Sequence, residues 1–296
     1  NDDSLTANSD VDIQKPLDVV AQRIFEIKLS ESPASMMISE ELEDALPLMG
    51  NSSLCVALDP LDGSSNIETN MSIGSIFSII EIDTGQKNNP VVAINNGRQL
   101  AAGFFVYGPQ TTLAMSCGDG VNIFGLNPKT SEFVLLKSNV EIPGSKWEFA
   151  INSSNYRHWD SDIRQFVDDC MAGQDGPLGA DFNMRWNASL VAEAYRILIR
   201  GGVFLYPGDS RPGYRHGRIR QLYEARPIAF MIEQAGGKSI DGFERILDRP
   251  VIDYHDRIPL IFGASDCVDL VEKYYATAPV NKMRSSLFVI RNIFRN

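Results

Sequence analysis

Two aspartates at the end of an apolar run provide the clearest chemical signal in the sequence. Residues 54–58 are all apolar, and Asp59, Pro60, Leu61 and Asp62 follow them. Such a run indicates a buried strand, and proline, which has no N–H to donate, predicts that the strand ends at Pro60. Two carboxylates at a strand end suit a hard divalent cation. An ordinary Asp-Pro turn is the alternative, but it would leave two acids side by side without a counter-ion.

The small residues after the second aspartate indicate a site for an anion. Gly63, Ser64 and Ser65 would let backbone N–H groups approach a phosphate closely, especially if a helix begins there. The alternative is a helix capped by Ser64. On the first interpretation, a phosphate cradle adjoins the cation site.

Three further acids stand at the ends of predicted elements. Asp18 lies in the first turn of a helix predicted from apolar residues 17, 20, 24 and 27, where an acid often only complements the helix dipole. Glu40 and Glu41 follow a short strand predicted at residues 36–38. Solvated surface charge is the alternative for this pair, because more acids follow it.

A cluster of arginines reverses the sign of charge in an acidic chain. The chain has 27 Lys and Arg against 38 Asp and Glu, a net charge of −11, which argues against nucleic-acid or anionic-membrane partners. We therefore expect a substrate anion to meet local positive charge, or else these arginines only offset acidic neighbours. The cluster comprises Arg211, Arg215, Arg218 and Arg220.

Composition predicts a large core and a reducing compartment. With 296 residues and 44% apolar content, the chain can form one or two domains. Its four cysteines include no CxxC pair, which argues against a zinc cluster or a disulfide framework. No apolar run approaches the ~20 residues of a membrane-spanning helix. We expect a cytoplasmic protein, or one of the plastid stroma if a transit peptide was removed.

The rest of the chain predicts an α/β fold, of layered α+β type, in two tightly joined subdomains. Residues 1–140 would form a metal-binding subdomain of helix and largely antiparallel sheet, 141–280 a substrate-binding α/β subdomain, and 281–296 a tail. Residues 86–99 read as a polar connection. Strands are predicted at 73–82, 103–107, 112–117, 121–124, 132–136, 203–206 and 258–262. Helices are predicted at 162–171, 187–199, 223–235 and 266–275.

Five motifs in order resemble the class I fructose-1,6-bisphosphatases, within the lithium-sensitive, metal-dependent phosphatase superfamily. They occupy residues 17–19, 39–41, 59–66, 204–207 and 222–224, and the resemblance runs from Asp12 to about Tyr275. It implies a sugar-phosphatase fold of alternating α and β layers that hydrolyses the 1-phosphate of fructose 1,6-bisphosphate, in gluconeogenesis or the Calvin cycle. Two alternatives stay open: sedoheptulose 1,7-bisphosphate as the substrate, and a catalytically silent relative with a regulatory role.

The resemblance also implies a metal centre and its catalytic acids. Two or three Mg²⁺ ions, or Mn²⁺, would be bound by the carboxylates of Glu40, Asp59, Asp62 and Glu224 and by the main-chain oxygen of Leu61. The acids that complete the site and orient or deprotonate water would be Asp12, Asp18 and Glu41. Hydrolysis would then be direct, without a phosphoenzyme.

The same resemblance implies a bisphosphate pocket shared between subunits. The transferred 1-phosphate would be held next to Asp62 by Gly63, Ser64 and Ser65, and the distal 6-phosphate by Asn152, Tyr156, Tyr206 and Arg218. Arg185 would reach the site of a neighbouring subunit, which implies a homo-oligomer, either a dimer or a tetramer. Arg218 stands where the family usually has lysine, which retains the charge.

Overall fold

The computed structural model describes residues 16–83, 85, 89–144 and 147–277. The candidate residue Asp12 and the tail at 281–296 lie outside these ranges. The helices of the described residues are α1 (Pro16–Ser30), α2 (Pro90–Asn95), α3 (Ser161–Met171), α4 (Leu190–Arg200), α5 (Arg226–Gln234) and α6 (Ser265–Thr277). Among these residues, no helix has the length and apolar character needed to cross a membrane.

The first half of the chain forms one eight-stranded sheet, and its largely antiparallel pairing was predicted from the sequence. Its strands run in the spatial order β2-β1-β3-β4-β5-β6-β7-β8. The pairs are antiparallel except β1 with β3, which is parallel. The strands are β1 (Met36–Ser39), β2 (Leu46–Pro47), β3 (Leu54–Asp62), β4 (Ile73–Glu81), β5 (Arg98–Tyr107), β6 (Thr111–Ser116), β7 (Asn122–Asn127) and β8 (Glu132–Lys137).

The second half forms a five-stranded sheet, in the order β10-β9-β11-β15-β13, and a two-stranded sheet of β12 and β14. The single strand predicted at 258–262 is two strands, since Ile258 pairs with Ile219 whereas Leu260 pairs with Tyr206. Pro259 separates them, because it has no N–H for either ladder. The strands are β9 (Glu148–Ala150), β10 (Asn183–Met184), β11 (Val203–Tyr206), β12 (Ile219–Arg220), β13 (Lys238–Ile240), β14 (Arg257–Ile258) and β15 (Leu260–Gly263).

A shared hydrophobic core joins the two large sheets. Ile76 and Phe104 of the eight-stranded sheet, Val191 of α4, Ile228 of α5 and Phe262 of the five-stranded sheet belong to one buried cluster. Helices therefore lie between sheets in a layered α/β arrangement, which confirms the predicted fold class. The division into subdomains near residue 140 remains a proposal.

The polar connection predicted at 86–99 is wrong, because it contains helix α2 and the start of β5. Asn89 Oδ1 accepts a hydrogen bond from Val92 N at 3.3 Å, and Pro90 occupies the first turn. Proline is favoured there because its missing N–H would have no partner within the helix. Ala93 and Ile94 bury the inner face of this short helix.

Helix α1 is present, but its buried face differs from the one its apolar spacing suggests. The apolar residues Leu17, Val20, Ile24 and Ile27 are exposed, and the buried residues are Asp18 and Gln22. Ser39 Oγ of β1 donates to Gln22 Oε1 at 2.6 Å. The inward face of α1 is thus polar because it lies against other polar groups at the end of β1.

Candidate active site

A β-bulge in β3 brings the two aspartates to one face of the sheet. The strand does not end at Pro60 but continues to Asp62, and its pairing with β4 shifts so that Asp59 lies opposite Ile76 and Asp62 opposite Gly74. Residues three apart in a regular strand face opposite sides, whereas one extra residue restores the same side. The Pro60 carbonyl accepts a hydrogen bond from Ser75 Oγ at 2.7 Å, which stabilises the bulge.

Glu224 completes a cluster of three carboxylates. Oxygen atoms of Asp59, Asp62 and Glu224 lie within 4.8 Å of one another. Glu224 comes from a π-helical turn, Gln221–Ala225, that leads directly into α5. Its Oε2 accepts a hydrogen bond from the backbone N–H of Arg220 at 2.5 Å. The bulge of β3 and the wide turn before α5 thus place acids distant in sequence around one point.

The two aspartates accept hydrogen bonds from different parts of the chain. Asp62 accepts hydrogen bonds from Ser189 Oγ at 2.9 Å and from the N–H groups of Leu190 and Val191 at 3.3 and 3.0 Å. It therefore lies at the N-terminus of α4, where the helix dipole favours negative charge. Asp59 Oδ1 accepts from Leu61 N at 2.9 Å, while its buried Oδ2 has no hydrogen-bond partner in the described part of the chain.

Burial raises the pKa values of these three acids, and the charges of neighbouring acids add to this effect for Asp59 and Glu224. Burial, and then the charges of Glu40, Glu224 and Asp62, raise the pKa of Asp59 well above its ordinary value. Burial, and then Glu40 and Asp62, do the same to the pKa of Glu224. Burial also raises the pKa of Asp62, although its hydrogen bonds from α4 act in the opposite direction. Such a group resists full ionisation unless a cation balances it.

The donor set fits a hard divalent cation. The buried Oδ2 of Asp59 lacks a hydrogen-bond partner among the described residues, and carboxylate oxygens are the ligands that Mg²⁺ prefers. Glu40 lies at the edge of this cluster, with its Oε1 3.7 Å from Arg220 Nε. Its side chain is about one quarter exposed, so it borders the open side of the site. The backbone of Leu61 is buried beside Asp59, and the role of its carbonyl remains a prediction.

Two of the three candidate acids for water activation, Asp18 and Glu41, lie where α1 meets the end of β1. Glu41 N donates to Ser39 Oγ at 3.3 Å, and the same Ser39 hydroxyl donates to Gln22. Asp18 precedes Gln22 by one helical turn on the inward face of α1 and is 4% exposed. The face of α1 that carries Asp18 thus lies against the end of β1, where Glu40 and Glu41 begin.

The proposed cradle for the transferred phosphate is a tight turn directly after β3, which packs against the residue before α4. Gly63 has φ +75°, a conformation that favours glycine, and a Cβ there would approach Ser189 Cβ to 3.2 Å. The 3₁₀ turn Ser64–Asn66 follows it. Asn66 Nδ2 donates to the carbonyls of Ser72 and Ala188, both at 3.2 Å. Ser64 and Ser65 are therefore held next to Asp62, partly accessible to solvent.

The candidate residues for the distal phosphate are only partly brought together. Asn152 and Tyr206 line one small cavity, and Asn155 lines it too. The Tyr156 hydroxyl instead donates to the carboxylate of Asp168, with both O–O distances 2.9 Å. The segment Ser153–His158 is a 3₁₀ helix, in which residues three apart share a face. That period places Asn155, which the sequence interpretation did not single out, on the same face as Asn152.

The four arginines of the basic cluster do not form one site. Arg218 lies over the ring of Tyr214, and Arg220 reaches Glu40 and the carbonyl of His255. Arg215 is exposed and lines a separate cavity with Asp160 and other residues. The prediction that all four arginines contribute to one anion-binding site therefore included too many of them.

Arg185 is paired with Glu148 and not with an acid of the carboxylate cluster among the ion pairs of the described residues. It follows β10 at the edge of the five-stranded sheet, with a side chain that is 52% exposed. Its Nε is 3.8 Å from Glu148 Oε1, and Glu148 also pairs with Arg196 and Arg200. The neighbouring Trp186 stacks on Phe204 at a centroid distance of 5.9 Å.

Sequence reasoning also missed Ser189 as part of the site. Its hydroxyl donates to Asp62 and accepts from Ala192 N at 3.4 Å, which makes it the N-cap of α4. A serine directly before an apolar helical run is the usual sequence signal for such a cap. That signal could have located the start of α4, although not its contact with Asp62.

A layered α/β fold with buried carboxylates beside a turn of small residues is the arrangement expected of a metal-dependent sugar phosphatase. Two family profiles match this chain: "Fructose-1-6-bisphosphatase, N-terminal domain" over residues 3–138 and "Fructose-1-6-bisphosphatase, C-terminal domain" over residues 142–276. The chain belongs to the class 1 fructose-1,6-bisphosphatase family, which confirms the resemblance found in its motifs.

Curated relatives and solved structures agree with this assignment. Fructose-1,6-bisphosphatases class 1 of Rhodopseudomonas palustris (strain TIE-1) and Sinorhizobium medicae (strain WSM419) are each 50% identical to this chain, and each match covers 98% of the chain and 83% of the relative. The crystal structure of Leishmania major fructose-1,6-bisphosphatase in holo form is 32% identical with a TM-score of 0.81, covering 88% of this chain and 83% of that one. The T-state structure of the same enzyme gives 31% and 0.82, covering 89% and 83%.

Proposed function

We propose that this protein hydrolyses the 1-phosphate of D-fructose 1,6-bisphosphate to give fructose 6-phosphate and inorganic phosphate. The observation that carries the proposal is the cluster of Asp59, Asp62 and Glu224, set beside the Gly63 turn. It lies in a chain that is 50% identical to class 1 fructose-1,6-bisphosphatases over nearly its full length. Both the acids for a cation and the turn for a phosphate are therefore present in one site.

The cations are two or three Mg²⁺ ions, with Mn²⁺ as an alternative. The groups that would hold them are the carboxylates of Glu40, Asp59, Asp62 and Glu224 and the carbonyl of Leu61. When bound, these ions supply positive charge that lowers the pKa of water and offsets the charge of the departing ester oxygen. The raised pKa values of Asp59 and Glu224 support this assignment, because nearby positive charge would favour the ionised carboxylates.

Residues of the chain itself bind the substrate and accept the proton released by the attacking water. Glu41 accepts a proton from the attacking water, and Asp18, with Asp12 by resemblance, orients that water. Backbone N–H groups at Gly63, Ser64 and Ser65 receive the phosphate that is transferred. This division separates proton transfer, on the side of α1 and β1, from phosphate binding at the turn after β3.

At the far end of the substrate, Asn152, Tyr206 and Arg218 bind the 6-phosphate. Asn155 joins them because it lines the same small cavity as Asn152 and Tyr206. The assignment of Tyr156 to the 6-phosphate has less support, since its hydroxyl already donates to Asp168. Arg218 offers a charged, planar donor group that can form two hydrogen bonds to one phosphate.

We further infer a cytoplasmic homo-oligomer, a dimer or a tetramer, in which Arg185 reaches the site of a partner subunit. Its side chain is half-exposed and only loosely paired with Glu148, so it can extend to another molecule. Mass measurement in solution tests the assembly. If the arginine acts across the interface, mixing Arg185→Ala subunits with subunits that carry a defective carboxylate cluster should restore activity, because the intact cluster of the first then receives the Arg185 of the second.

The direct test is phosphate release with Mg²⁺ from fructose 1,6-bisphosphate and sedoheptulose 1,7-bisphosphate side by side. We expect faster release from the fructose substrate, with fructose 6-phosphate as the sugar product. Asp59→Asn should abolish release, while the matched change Asp119→Asn in the β6–β7 turn should not. Release of fructose 1-phosphate, or no release from either bisphosphate, would overturn the proposal. Preference for the seven-carbon substrate would change the substrate but not the reaction.

A further inference from the structure

The loop between β11 and β12 holds two arginines against one aromatic ring. Arg211 Cζ lies 4.0 Å from the centroid of the Tyr214 ring, and Arg218 Cζ lies 4.4 Å from the same centroid. Guanidinium groups at such distances are attracted by the negative face of the ring. The ring therefore offsets part of the repulsion that two nearby cations would otherwise experience.

The backbone of the loop fixes the position of this ring. The Tyr214 carbonyl accepts hydrogen bonds from Asp209 N at 3.1 Å and from Gly217 N at 3.0 Å, while Tyr214 N donates to Arg211 O at 3.1 Å. These three bonds close the loop on itself. Ser210 N also donates to the His158 carbonyl at 3.0 Å, which ties the loop to the segment that carries Asn152 and Asn155.

A buried carboxylate fixes Arg211 in turn. Arg211 Nε lies 3.0 Å from each carboxylate oxygen of Asp209, and its Nη2 also contacts this carboxylate. Asp209 is only 6% exposed. The Nη1 group of Arg211 is not used by these bonds, so it can donate to another acceptor.

Both arginines act on the tyrosine that lines the distal cavity. Burial raises the pKa of Tyr206, and the positive charges of Arg218 and then Arg211 oppose that increase. Tyr206 in turn lines the cavity with Asn152 and Asn155. The loop begins directly after Tyr206, and its first residue, Pro207, lines the same cavity, so the backbone leads from this cavity to both arginines.

We propose that Tyr214 is a positioning residue that holds Arg218 and Arg211 as paired cations for the distal phosphate. This inference rests on the proposed function, because it concerns the phosphate that is not transferred. A long arginine side chain loses rotamer freedom when it binds an anion. A ring that orders both side chains before the substrate arrives reduces that loss, so binding should weaken when the ring is removed.

The test compares Tyr214→Leu with Tyr214→Phe, which keeps the ring and lacks the hydroxyl. We expect Tyr214→Leu to raise the KM for fructose 1,6-bisphosphate and the Ki for fructose 6-phosphate by roughly fivefold to tenfold, with kcat almost unchanged. Tyr214→Phe should restore both constants to within about twofold of the unsubstituted protein. A general loss of folding would lower kcat instead, so the two explanations give different results.

Arg211→Gln and Arg215→Gln form the matched pair for charge. Each removes one positive charge from the same loop, but Arg215 is exposed and lines a different cavity. We expect Arg211→Gln to raise both constants more than Arg215→Gln does. Unchanged constants in Tyr214→Leu, or equal effects of the two glutamine variants, would overturn the inference. An unsubstituted protein that releases no phosphate would instead overturn the proposed function.

Discussion

The carboxylate cluster and the arginine loop of residues 207–218 solve opposite electrostatic problems. Asp59 and Asp62 are 1% and 6% exposed and are placed by a strand bulge and a helix N-terminus. Arg211 and Arg218 lie on a partly exposed loop and are placed by a tyrosine ring. Burial strengthens repulsion among the acids, because little water screens them, whereas solvent moderates repulsion between the arginines.

This difference teaches which ligand each region can take. A buried group of like charges is unfavourable without a counter-ion. It can bind a small cation tightly, since its ligands are already in place and do not need to move. A loop with ordered but accessible cations can accept a hydrated phosphate with less desolvation. The acids should therefore govern whether the reaction occurs, and the arginines should govern how tightly the substrate binds.

The largest effect should follow from removal of the cation. Treatment with EDTA should abolish phosphate release, because the acids would lack the positive charge on which the proposed reaction depends. Addition of Mg²⁺ or Mn²⁺ to the dialysed protein should restore it. The measurement is the initial rate of phosphate release before and after dialysis. Full turnover in a protein shown to be free of metal would contradict the assigned role of the acidic cluster.

A large effect on kcat should follow from Glu41→Gln. The change retains the shape of the side chain and removes the base, so we expect kcat to fall by roughly 10²-fold or more. Glu43→Gln is the matched control, because Glu43 is an exposed acid two residues further on, and it should retain the original kcat. Steady-state kinetics with fructose 1,6-bisphosphate distinguish the two. An increase in KM alone would mean that Glu41 binds substrate instead of activating water.

A moderate effect should appear in the pH dependence of stability without metal. The raised pKa values of Asp59 and Glu224 mean that the folded state takes up protons more readily than the unfolded state. Stability of the metal-free protein should therefore increase as pH falls from neutral towards the ordinary carboxyl values of 3.8 and 4.5. The lowered pKa values of Glu148 and Asp209 oppose this only at still lower pH.

Thermal unfolding at several pH values checks this sign. We expect Tm in EDTA to rise as the pH is lowered from about 8 to about 5, and the trend to weaken in Mg²⁺, because the cation favours the ionised acids. Asp59→Asn should weaken the trend in EDTA as well, since one repelling carboxyl is gone. A Tm in EDTA that rises with pH over this range would show that the acids do not repel one another as described.

The smallest effect should come from Arg218→Lys. Lysine keeps the positive charge but loses the planar donor pair and part of the contact with the Tyr214 ring. We expect the KM for fructose 1,6-bisphosphate to rise by about threefold, against tenfold or more for Arg218→Gln, which removes the charge. Similar increases for both variants would mean that geometry, and not charge, governs binding at this loop.

Features formed by residues close together in the chain could be predicted from the sequence. The apolar run at 54–58 predicted a buried strand, and Asp59 and Asp62 predicted a pair of acids that could hold a cation beside a small-residue turn. The antiparallel strands of the first half and the helices at 162–171 and 187–199 also followed from local spacing. These features depend on period and propensity within short segments, which is why the chain alone determined them.

Tertiary structure decided the features that depend on register and on distant packing. Whether β3 stops at Pro60 depends on pairing with β4, and the bulge there places Asp59 and Asp62 on one side. The 3₁₀ period of the segment Ser153–His158 directs Asn155 towards Tyr206. Helix α1 buries Asp18 and exposes its apolar residues, because its inward face meets polar groups instead of a hydrophobic core. Each outcome is set by a contact between residues far apart in the chain, which local propensity cannot specify.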